Sequence, residues 1–91
     1  MEKSEAERIL KSIREEFEGI GLKKAAYRPD WILSNKVGAL EHCHYLVGEI
    51  EELIRKNKLH DAERQIGFIL GVLWATNYWT LEHINTLTSK K

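Results

Sequence analysis

The sequence predicts an all-α protein: three long or medium helices and a short C-terminal helix, packed as a bundle that homo-oligomerisation completes. Three observations carry this. Apolar residues recur at three- and four-residue steps along nearly the whole chain, the spacing of one helical face. Strand-like alternation of apolar and polar residues is absent. Pro29 is the only proline, so long helical runs meet almost no obligatory break. At 91 residues the chain reads as one domain, residues 1–91.

The first helix is expected to begin at Ser4, because Ser4 and Glu7 match the S-x-x-E capping box. Ala6, Ile9, Leu10, Ile13, Phe17 and Ile20 then trace one amphipathic face. Gly19 and Gly21 offer left-handed positions at which the helix can stop. In the stretch LKKAAYRPDWILSNK, Arg28 precedes proline and is biased away from helical dihedrals. Tyr27 and Trp31 flank that proline and are expected to staple the loop onto the bundle. Asp30, Ser34 and Asn35 are alternative caps for the second helix.

The second helix should run from near Ile32 or Ser34 to about Lys56. Ala39, Leu40, Cys43, Leu46, Val47, Ile50, Leu53 and Ile54 form its inner stripe. A step of 100° per residue places Glu41, Tyr45, Gly48 and Glu52 opposite, with His42 and His44 at the two borders. Asn57 is the expected left-handed terminator. The third helix should span about Leu59 to Thr76, with Leu59, Ala62, Ile66 and Leu70 inward, and end near Asn77. Thr80 then caps a short fourth helix whose inner face is Leu81, Ile84 and Leu87.

The second half of the third helix and the turn after it form GFILGVLWATNYW, thirteen residues from Gly67 to Trp79 without a charged side chain, in a chain that is 31% charged. The run is too short to span a bilayer, which takes about 20 residues. A helix apolar on all sides needs neighbours on all sides, and a chain this short has few to offer, so a second copy is expected to supply them. Within the run Gly67, Gly71 and Ala75 recur every fourth residue. Glycine in a helix costs roughly 0.5–1 kcal/mol relative to alanine, so this small-residue strip implies a compensating close approach. The approaching group is either another helix or a bulky side chain of the same chain, such as Phe17, Trp31 or Trp79. Trp74, Tyr78 and Trp79 add the aromatic bulk of an expected interface. The expected assembly is a dimer.

Charge and motifs narrow the function classes. Lys plus Arg and Asp plus Glu both number 14, which argues against nucleic acid as the main partner. The single cysteine, Cys43, excludes an internal disulfide and fits a reducing, cytoplasmic setting as a small buried hydrophobe. The polar, acidic opening MEKSEAERIL lacks the pattern of a secretory signal, and no membrane association is expected. In EHCHY, His42 and His44 diverge by about 200° on a helix and cannot chelate one metal together. Glu41 and His44 share the E-x-x-H spacing of di-iron bundles, but the third helix has no carboxylate after Glu63 to complete such a site. Glu49 and Glu52 give E-x-x-E, half the signature of all-helical nucleotide pyrophosphohydrolases, and again the later acidic pair is missing. No phosphate loop, nucleophile triad, zinc pattern or cofactor motif is present. The expectation is a non-enzyme with no metal and no cofactor.

Residues 62–85, AERQIGFILGVLWATNYWTLEHIN, resemble the C-terminal part of small all-helical accessory proteins of tailed bacteriophages. In that family a G-F-x-x-G-x-L-W core precedes a short turn and a T-[IL]-E-x-[IL] helix. Here the core is Gly67, Phe68, Gly71, Leu73 and Trp74, and the helix start is Thr80, Leu81, Glu82 and Ile84. Upstream, ALEHCHYLVGEIEELIRKNKLHDA has the matching helix and short turn, so the likeness covers roughly residues 38–87. Leu70 stands where the pattern carries glutamine. The resemblance implies an origin and a host-cytoplasm setting, and an accessory protein that acts by binding. The leading expectation is an inhibitor or adaptor of a host protein, built on a homo-oligomeric bundle that presents charged faces. Those faces would include Glu5, Arg8, Glu15 and Glu16, or Glu41, Tyr45 and Glu52. A second is a sponge for a small nucleotide-type signal, with Tyr27, Trp31, Arg28 and Lys36 as stacking planes and cations, joined by Arg64 and Asn77. A third is a structural role in particle assembly.

Overall fold

Four helices and no strand make up the described part of the chain: α1 (Lys3–Gly19), α2 (Lys36–Arg55), α3 (Leu59–Ala75) and α4 (Leu81–Thr88). The computed structural model describes residues 1–28 and 35–89. The expectations for Pro29, Asp30, Trp31, Ile32 and Ser34 lie outside those residues. The all-α expectation, with three longer helices and a short fourth, is met.

The N-cap of α1 falls two residues before the anticipated Ser4. Glu2 occupies the N-cap position without a side-chain cap bond, and Ser4 lies inside the first turn, so the capping box does not form. The N-terminal ammonium instead pairs with Glu63 of α3, which fixes the start of α1 from another helix. Ala6, Ile9, Leu10, Ile13 and Phe17 are buried, whereas Ile20, included in the expected stripe, is exposed because it lies beyond the last turn. There the chain turns through Gly21 at φ 69°. The N–H of Leu22 reaches back to the Phe17 carbonyl at 3.0 Å, the six-to-one bond of a Schellman terminus.

Asn35 caps α2, its side chain accepting from the Gly38 N–H at 2.7 Å. The core stripe of α2 is Cys43, Val47, Ile50 and Ile54, with Gly38 and His44 also buried. Leu40, Leu46 and Leu53 pack at its margin. His44 was expected at the border, yet it is only 3% exposed. Asn57 takes φ 62° and reverses the chain into α3 within three residues, and Asn77 takes the same φ in the five-residue turn after α3. Asparagine tolerates this conformation better than any other residue except glycine.

Ala62, Ile66, Ile69 and Leu73 of α3 are buried against α1 and α2. Thr80 caps α4 as expected, accepting from the His83 N–H at 3.0 Å. Helix α4 is held by partial burial of Leu87 and by Arg8, which donates from α1 to the Leu87 carbonyl at 2.9 Å. Leu81 does not join the inner face: it is 54% exposed.

Candidate functional site

Two surface features converge on α3: a groove between α2 and α3, and an open apolar face beside it. The groove owes its shape to the segment after α1, which runs back along α2 and is tied to it three times. The Leu22 carbonyl meets His44 Nδ1 at 3.0 Å. The Ala25 N–H donates to the Glu41 carbonyl at 3.1 Å, and the Tyr27 N–H donates to His42 Nδ1 at 3.1 Å. The Tyr27 and His42 rings meet edge to face at 6.0 Å, and the Tyr45 ring lies nearly parallel to that of His42, also at 6.0 Å. The EHCHY segment therefore serves as the clip for the connector.

Tyr27 and His42 then line a groove of about 470 Å³ with Leu46, Arg64, Gln65 and Phe68. The Tyr27 hydroxyl sits so close to Gly38 that a Cβ there would meet it at 2.6 Å. Of the residues proposed from sequence as a ligand set, the groove brings together Tyr27 and Arg64. Arg64 is exposed and forms an ion pair with Asp61 at 2.8 Å. Lys36 is exposed at the first position of α2 and Arg28 is exposed in the connector. Asn77 serves the α3–α4 turn, about 20 Å along the α3 axis from Arg64. Trp31 lies outside the described residues. Sequence reasoning missed His42, Gln65 and Phe68 as groove residues. The signal for His42 was its border position, but nothing in the pattern showed that the connector would lie against it.

The outer face of α3 changes character halfway. Its first half carries His60, Asp61 and Arg64. From Gly67 onward the exposed positions are Gly67, Phe68, Gly71, Trp74 and Ala75. Phe68 and Trp74 are each 52% exposed. Apart from the chain neighbours and the helix's own adjoining backbone, nothing described lies within 4 Å of a Cβ placed on Gly67 or Gly71. Among the described residues, then, the uncharged helix is not buried on all sides as expected: three neighbouring helices cover the inner face and leave the small-residue strip open. Phe17 and Trp79, two of the side chains offered for that strip, lie elsewhere. Phe17 is in the core, and its ring meets His44 at 5.3 Å and Tyr78 at 6.3 Å. Trp79 packs on His83 at 4.4 Å. Tyr78 folds back as well, donating its hydroxyl to Glu16 at 3.1 Å. Burial and that hydrogen bond raise the Tyr78 hydroxyl above its ordinary value.

The chemistry-bearing side chains are dispersed. His42 faces the connector while His44 enters the core. Among the described residues no group of three or more His, Cys, Asp or Glu side chains is placed to hold a metal ion. Burial pushes the Cys43 thiol up from 9.0 to about 12, far from the range of a reactive thiolate. Glu52 and Arg55 pair across one helical turn, which holds the carboxyl below its usual range. A second groove, of about 450 Å³ between α1 and α2, has a mixed lining that includes Lys11, Arg14, Glu51 and Arg55, with Arg14 and Glu51 paired at 2.8 Å. No helix among the described residues is long and apolar enough to cross a membrane. No protein-family model, curated protein or solved structure matches this chain.

Proposed function

We propose that the chain is a non-catalytic binding module whose working form is a homo-oligomer, a dimer in the first instance, assembled through the outer face of α3. The observation that carries this reading is the pair of half-exposed rings, Phe68 and Trp74, bracketing an open strip of Gly67, Gly71 and Ala75. The exposed positions of α1 are mostly charged, and the same face of α3 is charged one turn earlier, whereas Val37 and Leu81, the comparably exposed hydrophobics of α2 and α4, have among the described residues no second large apolar side chain a turn or two away on an exposed face. Leaving two large rings half in water forgoes burial worth about 25 cal/mol per Å², which association recovers.

Assembly through α3 leaves the mixed-charge faces of α1 and α2 outward for a protein partner. This is the arrangement of an inhibitor or adaptor, and the resemblance to phage accessory proteins adds a host protein as the target class. Not all of the charged positions remain available, since Arg8 and Glu16 hold α4 and Tyr78 in place. A particle-assembly role would use the same oligomer. A second reading, a sponge for a nucleotide-type ligand, is favoured by the groove that unites Tyr27, His42, Phe68 and Arg64. Three ring planes and a guanidinium suit a base and a phosphate.

Light scattering coupled to size exclusion tests the main reading. A dimer or larger species is expected at micromolar concentration. Phe68→Glu and Trp74→Glu should both return monomers with an undiminished helical signal. A monomer at high micromolar concentration sinks the proposal. Mass spectrometry of small molecules released from protein purified out of cells tests the sponge.

A further inference from the structure

The proposed assembly rests on the open face of α3, and the register of that face says how the second copy sits. With Gly71 as origin and 100° and 1.5 Å per residue, Arg64, Gly67, Phe68, Trp74 and Ala75 all lie within about 60° of one direction. Phe68 and Ala75 fall on one flank of that direction, Gly67 and Trp74 on the other. A two-fold axis at Gly71, perpendicular to the helix, inverts heights and keeps flanks. It sets each Phe68 ring over the partner's Ala75 and each Trp74 ring over the partner's Gly67, with glycine against glycine at the centre. Every large side chain thus meets a small one, the condition for close packing without voids.

A parallel pair about the same residue also opposes large and small side chains, so sterics alone do not fix the direction. Charge does. Arg64 lies about 20° from the centre of the face, so parallel helices would bring the two Arg64 side chains together at one height, with His60 a turn beyond. Antiparallel helices separate the Arg64 residues by about 21 Å and place each beside the C-terminal end of the partner's α3. That end carries partial negative charge and has no basic residue in its last turn, and Glu82 is exposed in the first turn of the following helix.

We infer that the chain pairs with a second copy of itself through α3, antiparallel, about a two-fold axis at Gly71. Disulfide trapping tests it. The only native thiol is Cys43, which is buried and stays out of the reaction. Gly67→Cys and Ala75→Cys are prepared separately, mixed and oxidised with diamide. Like positions lie about 12 Å apart along an antiparallel axis, beyond disulfide reach, whereas Gly67 and the partner's Ala75 stand at the same height on either side of the glycine centre, where close-packed helices bring them within reach. The expected result is a covalent dimer in the mixture, containing one chain of each kind, and none from either variant alone. Cross-linking of Gly67→Cys with itself, or of Arg64→Cys with itself, would establish a parallel pair and overturn the inference. If Gly67→Cys weakens the pair when reduced, Arg64→Cys carries the test. A dimer of native mass whose unlike cysteines do not cross-link overturns the register and leaves the assembly standing. A monomer of native sequence removes the assembly itself.

Discussion

His44 Nδ1 lies 3.0 Å from the Leu22 carbonyl oxygen, and its Nε2 is buried without a hydrogen-bond partner. A carbonyl only accepts, so Nδ1 carries the proton. His42 is the converse: its Nδ1 accepts the Tyr27 N–H, so its proton resides on Nε2. Two histidines two positions apart therefore clip the same connector with opposite tautomers. Nitrogen-15 correlation spectra of the imidazoles should show the Nδ1–H form for His44 and the Nε2–H form for His42 at neutral pH. The same tautomer at both would contradict the clip.

Truncating the buried member of the pair should cost more than truncating the half-buried one. His44→Ala empties a site against Phe17 and leaves the Leu22 carbonyl without its donor. A loss of about 2–4 kcal/mol is expected, from the cavity and the unsatisfied carbonyl together. His42→Ala lies at a partly solvated groove and should cost about 1 kcal/mol. Urea denaturation of both variants measures the difference, and equal losses would count against the burial argument.

Glycine substitutions in α2 should have opposite signs. Gly48 is exposed in mid-helix with nothing within 4 Å of a new Cβ. Alanine there is expected to stabilise by about 0.5–1 kcal/mol through helix propensity. At Gly38 the Cβ would stand 2.6 Å from the Tyr27 hydroxyl and 3.3 Å from the capping oxygen of Asn35. Gly38→Ala must displace Tyr27 or loosen the cap, and should lower the melting temperature despite the same gain in propensity. A stabilised Gly38→Ala would mean that the Tyr27 ring moves aside at little cost.

Helix α4 depends on its cap more than the other helices do. It has eight residues and none of them is buried, so packing contributes little and an isolated helix of that length is marginal. Thr80→Ala removes the bond to the His83 N–H and is expected to cost about 1 kcal/mol. The loss should appear as faster amide exchange in residues 81–88, with α1 to α3 unchanged.

These relationships show what the sequence made legible. Spacing sufficed for helices α1 to α3 because burial enforces the three- and four-residue repeat, and Asn57, Asn77 and Thr80 were readable because their roles are local. Ser4 misled because a capping box is only a local preference; the ion pair between the N-terminus and Glu63 holds the start of α1 from outside. The groove was half legible. Tyr27 and Arg64 stood out by type, but their meeting depends on a connector lying antiparallel to α2, a long-range arrangement that no periodicity encodes. The all-apolar half of α3 was plain, and only the packed chain showed which of its faces stays open.

The core cysteine links burial to pH. Burial lifts the Cys43 thiol from 9.0 to about 12 in the folded chain, so the folded state holds that proton more tightly than the unfolded one. A raised value stabilises the fold fully below the unfolded value and loses that contribution as pH rises. Stability should therefore fall between pH 9 and 12, by at most about 1.4 kcal/mol per pH unit from this group. Tyr78, also raised, adds loss of the same sign above its ordinary value of 10. Cys43→Ala should flatten the alkaline limb of a urea-stability profile while costing some stability at neutral pH through lost packing. The thiol should also resist Ellman's reagent at pH 8 until urea unfolds the chain, because only the thiolate reacts. Rapid modification of the native protein would show that the α1–α2–α3 core opens around Cys43 far more readily than its burial implies.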